Sequence, residues 1–129
     1  MQLKTIGIIH PVMCLKASDS CHTFDIVLDA AFMPAIVGLT PKLSVMITYW
    51  DMTSKRDVLM LKPPGSVVDL GVFASRSQNR PNPILQAIAE IVDIAENTLT
   101  VTCPEKMDQC PVLDIKPYIP VLDAIKFHH

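Results

Sequence analysis

The chain has 129 residues, half of them apolar and 19% charged, which suits one compact domain and excludes both two stacked domains and disorder as a whole-chain description. With 11 Lys and Arg against 13 Asp and Glu the net charge is -2, so no global positive field holds nucleic acid, and any RNA contact has to be local or shared between subunits. No apolar run reaches the roughly 20 residues of a membrane span, and Met1 to Pro11 lacks signal-peptide architecture, so the expectation is a cytoplasmic protein with no membrane partner.

Taken in chain order, Leu3 to His10 (LKTIGIIH) is an apolar, partly β-branched run stopped by Pro11, the pattern of a mostly buried strand. Pro11 to His22 has no period and reads as a loop, after which Thr23 to Leu28 (TFDIVL) resumes strand composition. Asp29 to Gly38 (DAAFMPAIVG) opens on a candidate Asp cap, closes on Gly and contains Pro34; this predicts a short, early-interrupted helix with a core-facing apolar side. Lys42 to Trp50 is a strong strand and Val58 to Leu61 a shorter one, ended by Pro63, Pro64 and Gly65. The two are expected to be sequential antiparallel neighbours.

Val67 to Ala74 (VVDLGVFA) leads into a polar loop, Ser75 to Pro83 (SRSQNRPNP), stiffened by two prolines. Ile84 to Ile94 is ambiguous in period: Ile84, Ala87, Ile88 and Ile91 share a helical face, while Ile88, Glu90, Val92 and Ile94 do not alternate cleanly. The turn at Glu96-Asn97 and the strand-like Thr98 to Cys103 decide for strand, paired as a hairpin. Pro111 to Pro120 (PVLDIKPYIP) holds three prolines and is expected to be extended, rigid and poor in ladder hydrogen bonds. Many short strands and few helical segments make the fold class mainly β: a small barrel over 1–129, with one or two short helices. The four scattered glycines form no phosphate-binding loop.

The cysteines, Cys14, Cys21, Cys103 and Cys110, form two pairs with six residues between partners. Structural zinc sites space paired ligands more closely, so reduced, partly buried thiols are expected and no metal site, although a set drawing on His10 or His22 is the functional counterpart. His128 and His129 read as a frayed tail.

Two of the three arginines, Arg76 and Arg80, stand four residues apart in the polar loop. A permanently charged guanidinium suits carboxylate or phosphate, and Pro81 and Pro83 lower the entropy lost when the loop orders on a ligand. This is the case for an anion or nucleotide site; solvated arginines, or arginines paired to an acid such as Asp69, are the bland alternative. In the extended tail Asp114, Lys116 and Tyr118 share one face. They offer an acceptor, a cation and a ring side by side, or else a plain surface pair.

GVFASRSQNRPNPI, Gly71 to Ile84, followed by PVLDIKPYIP, Pro111 to Pro120, resembles the signature pair of the TsaA-like (TrmO-type) family of S-adenosylmethionine-dependent methyltransferases. The opening Ile6 to His10 and the strand ending in Tyr49-Trp50 fit the same pattern. The resemblance implies a small β-barrel, a functional homodimer, S-adenosylmethionine as cofactor, and N6-methylation of threonylcarbamoyladenosine beside the tRNA anticodon. Carried over by motif, Phe73, Arg76, Ser77, Arg80 and Ile84 are the cofactor-binding set. Asn82, Asp114, Lys116 and Tyr118 are the catalytic set, with Asp114 as proton acceptor or orienter and Tyr118 stacking on a base. Where the family reads DGTP this chain has Asp108-Gln109-Cys110-Pro111, and Leu85, Gln86 and Ala87 follow PNPI in place of the usual Gly and Ser. The Pro-Arg-Gln stretch that follows the family's first strand has no counterpart between Pro11 and His22.

Two further readings stay open at the level of sequence: a non-catalytic S-adenosylmethionine or nucleotide binding module with a regulatory or accessory role, and a purely structural barrel. Lys55, Arg56 and Lys62 either combine across a two-fold axis into a basic rim for tRNA or form an ordinary solvated edge.

Overall fold

The structure is a computed structural model that describes residues 1–12, 21–107 and 109–124. Six strands close into an antiparallel barrel: β1 (Gly7–Pro11), β2 (His22–Leu28), β3 (Ser44–Trp50), β6 (Ile84–Ala95), β7 (Thr98–Cys103) and β8 (Pro111–Pro117), in the order β1-β2-β7-β6-β3-β8. Between β3 and β6 the chain leaves the barrel to form a two-stranded ladder, β4 (Met60–Leu61) with β5 (Leu70–Gly71). Closure removes the exposed edges that six separate strands would offer.

The interior follows from the period of two. Val45, Ile47 and Tyr49 of β3 point inward and are buried, as are Phe24, Ile26 and Leu28 of β2 and Leu99, Val101 and Cys103 of β7. Opposite Val45 and Ile47 stand Ala89 and Ala87. Small residues facing large ones let so narrow a barrel fill with side chains, each fully buried Ile or Leu contributing about 1.5–3 kcal/mol. Gly7 is needed for a different reason: a Cβ there would lie 2.5 Å from the Val27 carbonyl oxygen and 2.9 Å from the Leu28 Cα.

The strand assignment for Ile84 to Ile94 and its hairpin with Thr98 to Cys103 hold. The uneven alternation has a cause in the register, which shifts between Ile91 and Asp93 so that Val92 is an extra, outward residue. Other expectations are corrected. The first strand begins at Gly7, not Leu3, and includes Pro11. The Val58 to Leu61 strand does not pair with β3, whose two edges are taken by β6 and β8; its Met60–Leu61 core pairs with β5. The helix after β2 is a 3₁₀ helix, Ala30–Ile36; the Asp29 side chain makes no capping bond and none of the helix is buried. Its Ile36 is half-buried and packs against the core as expected, and with Phe32 it lines an open groove of about 460 Å³ together with Leu28, Leu43 and Asp114.

The proline-rich tail is a full barrel strand rather than a weakly bonded one. Pro111 and Pro117 sit at the ends of β8, leaving the five residues between them to donate, and β8 pairs with β1 on one side and β3 on the other. The chain ends its described part in a short helix, α1 (Pro120–Asp123). No helix is long and apolar enough to cross a membrane. Cys103 and Cys110 are buried and Cys21 is exposed; among the described residues no group of three or more His, Cys, Asp or Glu is arranged to hold a metal. Cys14 and the loop assigned to Pro11 to His22 lie largely outside the described residues, as do His128 and His129.

Candidate active site

β3 and β6 are neighbours whose last pair is Trp50 opposite Ile84. The polar loop that enters β6 therefore lies over the mouth of the barrel beside the end of β3. Its shape is set mostly by its own side chains. The Arg80 Nη1 donates to the Ser75 carbonyl at 3.0 Å and the Ser77 carbonyl at 2.8 Å, the Ser75 Oγ donates to the Val72 carbonyl at 2.9 Å, and the Ser77 Oγ accepts from the Asn79 N–H at 3.1 Å. Short polar side chains bonding nearby backbone are what favour such a loop over helix or strand.

Arg76 and Gln78 are the residues this scaffold leaves projecting: both are exposed, and neither makes a hydrogen bond or ion pair among the described residues. They reach a cleft of about 490 Å³, which Arg80, Tyr49, Ile84, Leu85, Gln86, Glu105 and Lys106 complete. A second hollow of about 390 Å³ shares Tyr49, Gln78, Leu85 and Lys106 and continues to Asp51 and Gln109. Behind the loop, a more apolar groove of about 790 Å³ runs between Ser77, Asn79 and the segment from Leu61 to Leu70, with Arg76 and Gln78 lining both sides.

Tyr49 forms the floor. Burial raises its phenol above the ordinary value of 10.0, with Glu105 adding to the effect, so it stays protonated at neutral pH. Burial likewise pushes the Cys103 thiol up to about 11, against the weaker opposing pull of its hydrogen bond to the Glu105 carbonyl. At Asp51 desolvation works upward, but hydrogen bonds from the Thr53 hydroxyl at 2.7 Å and N–H at 2.9 Å prevail and lower it. The cleft thus combines fixed cations, one carboxylate and two amides around a neutral phenol, a donor set for a ligand carrying both signs of charge.

Of the residues singled out by motif, Arg76, Arg80 and Ile84 line this cleft, although Arg80 spends one nitrogen on holding the loop. Ser77 lines the groove behind it. Phe73 lines neither and is 81% exposed. Asn82 is engaged by Arg56, whose Nη2 donates to Asn82 Oδ1 at 3.1 Å. Asp114 and Lys116 pair with each other at 3.5 Å on the outer wall. A register shift between Thr48 and Tyr49 makes Leu113 the extra residue of β8, so Asp114 stands opposite Thr48, which in turn faces Gln86. Asp114 is therefore two strands, roughly 10 Å, from Gln86, and Tyr118, just past the end of β8, is bonded through its N–H to the Ser44 carbonyl.

Tyr49, Gln78, Gln86, Glu105 and Lys106 were not singled out from the sequence. Gln78 carried a signal, since it alternates with Arg76 and Arg80. Glu105 and Lys106 carried none beyond being adjacent charges after a strand.

The model of the tRNA-methyltransferase O N-terminal domain (TrmO_N) matches residues 16–124. The chain belongs to the TrmO N-terminal domain family. An S-adenosyl-L-methionine-binding protein of Archaeoglobus fulgidus is 40% identical over 81 residues, covering 63% of this chain and 58% of the relative. A crystal structure of TrmO from Pseudomonas aeruginosa superposes with a TM-score of 0.76 at 25% identity, covering all of this chain and 60% of that one. A further TrmO crystal structure gives 0.74 at 27% identity, with 62% of its length covered. The chain thus spans about three-fifths of the length of these relatives. Their likeness confirms the TrmO barrel expected from the two motifs, and both motifs lie within the matched region.

Proposed function

We propose that this TrmO-family domain binds S-adenosylmethionine in the cleft between the Arg76 to Arg80 loop and the β7–β8 connection, and that it is a methyltransferase acting on N6 of threonylcarbamoyladenosine beside the tRNA anticodon, in the cytoplasm. The observation that carries the reading is the mixed charge of that cleft. An adenosyl amino acid brings a carboxylate, an ammonium and a sulfonium, and Arg76, Lys106 and Glu105 supply partners of both signs. Gln78 and Gln86 suit the ribose or an adenine edge, while Ile84 and Leu85 offer an apolar contact for its face.

Bound there, the cofactor supplies a methyl group on a positively charged sulfur. The chain's contribution is mainly binding and orientation: the preformed loop presents Arg76 and Gln78 to the cofactor before it arrives. The acceptor nitrogen sheds a proton as its bond to carbon forms and the carbon–sulfur bond breaks, and Glu105 is the carboxylate that the cleft itself offers. Asp114, Lys116 and Tyr118 serve the reaction from the outer wall, most simply in a cleft completed by a second copy. The homodimer in this proposal is motivated by Leu59, Met60 and Phe73, large apolar side chains left 63–81% exposed around the β4–β5 ladder.

Calorimetric titration with S-adenosylmethionine, with Arg76→Ala alongside, followed by mass spectrometry of tRNA after incubation, tests the reading. Micromolar binding that weakens roughly thirtyfold in the variant, with methyl transfer to tRNA by the wild type, is the expected result. No binding to the wild-type chain overturns it, and binding without transfer to any tRNA replaces it with the binding-module reading. Light scattering that finds only monomer at micromolar concentration removes the dimer.

A further inference from the structure

The loop that carries Arg76 is braced internally by Arg80, but what fastens it to the barrel is a different segment, the residues that follow β3. Three of its bonds come from there. The Lys55 N–H donates to Asn79 Oδ1 at 2.9 Å, the Arg56 Nε donates to the Pro81 carbonyl at 2.7 Å, and the Arg56 Nη2 donates to Asn82 Oδ1 at 3.1 Å. A fourth, from the Asp51 N–H to the Pro83 carbonyl at 3.0 Å, extends the β3–β6 ladder by one step. The Arg56 guanidinium also lies over the Trp50 ring, 5.1 Å from its centre. Trp50 closes the β3–β6 ladder opposite Ile84, so the same cation grips the rigid end of the sheet on one side and the entry to β6 on the other.

We propose that Arg56 is a positioning residue for the cleft: with Trp50 as its anchor, it latches the Pro81-Asn82 corner and so holds Arg76 and Gln78 in their ligand-ready places. This differs from a basic rim, in which Arg56 would act by charge toward RNA; here its Nε and Nη2 donate to the protein's own loop. It also gives Asn82 a role as the latch's receiver. The chemistry of the fork is essential to the idea. A planar guanidinium presents Nε and Nη2 in fixed directions and stacks on an aromatic face at once, which an ammonium of equal charge cannot reproduce. Holding the loop in place before a ligand arrives removes an ordering cost from binding and leaves the chemical step itself untouched.

The part of this proposal that concerns S-adenosylmethionine rests on the function proposed above, and the test separates the two. Arg56→Lys and Arg56→Ala are compared with the wild type by hydrogen exchange at the Lys55 amide, by emission of Trp50, the single tryptophan of the chain, and by titration with S-adenosylmethionine. Both variants are expected to exchange the Lys55 amide at least about tenfold faster and to shift Trp50 emission. They are also expected to bind S-adenosylmethionine about tenfold more weakly, with KM raised and kcat kept. Wild-type affinity in Arg56→Lys with loss only in Arg56→Ala overturns the latch in favour of a charge role. Unchanged exchange in both variants overturns it outright. If the wild-type chain does not bind S-adenosylmethionine, the proposed function fails, and the exchange and emission results alone still decide whether the latch exists.

Discussion

Arg76 and Arg80 look equivalent in the sequence, yet the structure predicts that their removal fails in different ways. Arg76→Ala deletes an exposed cation with no partner among the described residues, so the fold and the loop should be unaffected and only a ligand's anionic group should lose its contact. A charge-assisted hydrogen bond contributes roughly 1.5–3 kcal/mol, so the expected loss is about 2 kcal/mol, or roughly thirtyfold in Kd for S-adenosylmethionine. Arg80→Ala instead removes two bonds to the Ser75 and Ser77 carbonyls, at 3.0 and 2.8 Å, in a partly buried setting. Loosening both raises the cost of the ordered loop by about 1–2 kcal/mol after allowing for water replacing the guanidinium, and binding weakens by about tenfold through order rather than contact. Hydrogen exchange at the Ser77 and Asn79 amides distinguishes them: it should be unchanged in Arg76→Ala and accelerated in Arg80→Ala. Because the Arg76 contact presupposes an ordered loop, the double variant should lose less than the two single losses added. Equal exchange in the two single variants, or strict additivity, would refute this division of labour.

Three further outcomes follow from the backbone and the buried groups. Gly7→Ala drives a methyl group onto the Val27 carbonyl oxygen and the Leu28 Cα, and it should cost about 2–4 kcal/mol in urea denaturation by displacing β1 from β2; a loss below about 0.5 kcal/mol would show that the pairing is looser than the register implies. Gln109 holds φ 51° where the family motif has Gly, a left-handed conformation that disfavours side chains by roughly 1–2 kcal/mol; Gln109→Gly should therefore raise stability by about 0.5–1 kcal/mol after the added unfolded-state entropy, and a lower denaturation midpoint would contradict it. Cys103 ionises near 9.0 in the unfolded chain but at about 11 when folded, so the unfolded state sheds its proton first and stability should fall as pH rises from about 9 to 11. The raised Tyr49 phenol acts in the same direction, and a denaturation midpoint that stays flat across this window would rule out a buried, neutral thiol.

How far the sequence carried depended on whether the controlling interaction was local. Lys42 to Trp50 was legible because alternation over one strand is enough to declare it, and the Ile84 to Cys103 hairpin because its turn lies within it. The bulges at Val92 and Leu113 were not, since a register shift is decided by the partner strand; the first blurred the strand period and the second set which way Asp114 faces. The tail's prolines suggested poor pairing because composition does not reveal that Pro111 and Pro117 fall at the two ends of β8. Arg76 and Arg80 were found together because they are neighbours in the chain, whereas Glu105 and Lys106 reach the same cleft only through barrel closure.

The adjacency of β3 and β6 links these points to function. The two strands are separated in sequence by the whole β4–β5 excursion, yet their ladder ends at Trp50 and Ile84, so the segment leaving one and the loop entering the other must emerge side by side. Any arginine a few residues beyond β3 is then within reach of the loop's proline corner, and Arg56 takes that place with bonds to Pro81 and Asn82. The loop's polar residues secure its internal shape, but its position over Tyr49 is a property of the barrel. Transplanting residues 71–84 alone onto another hairpin would carry the Arg80 brace with them and leave the Arg56 and Lys55 fastenings behind, so the motif's chemistry is complete only where this strand order supplies its second support.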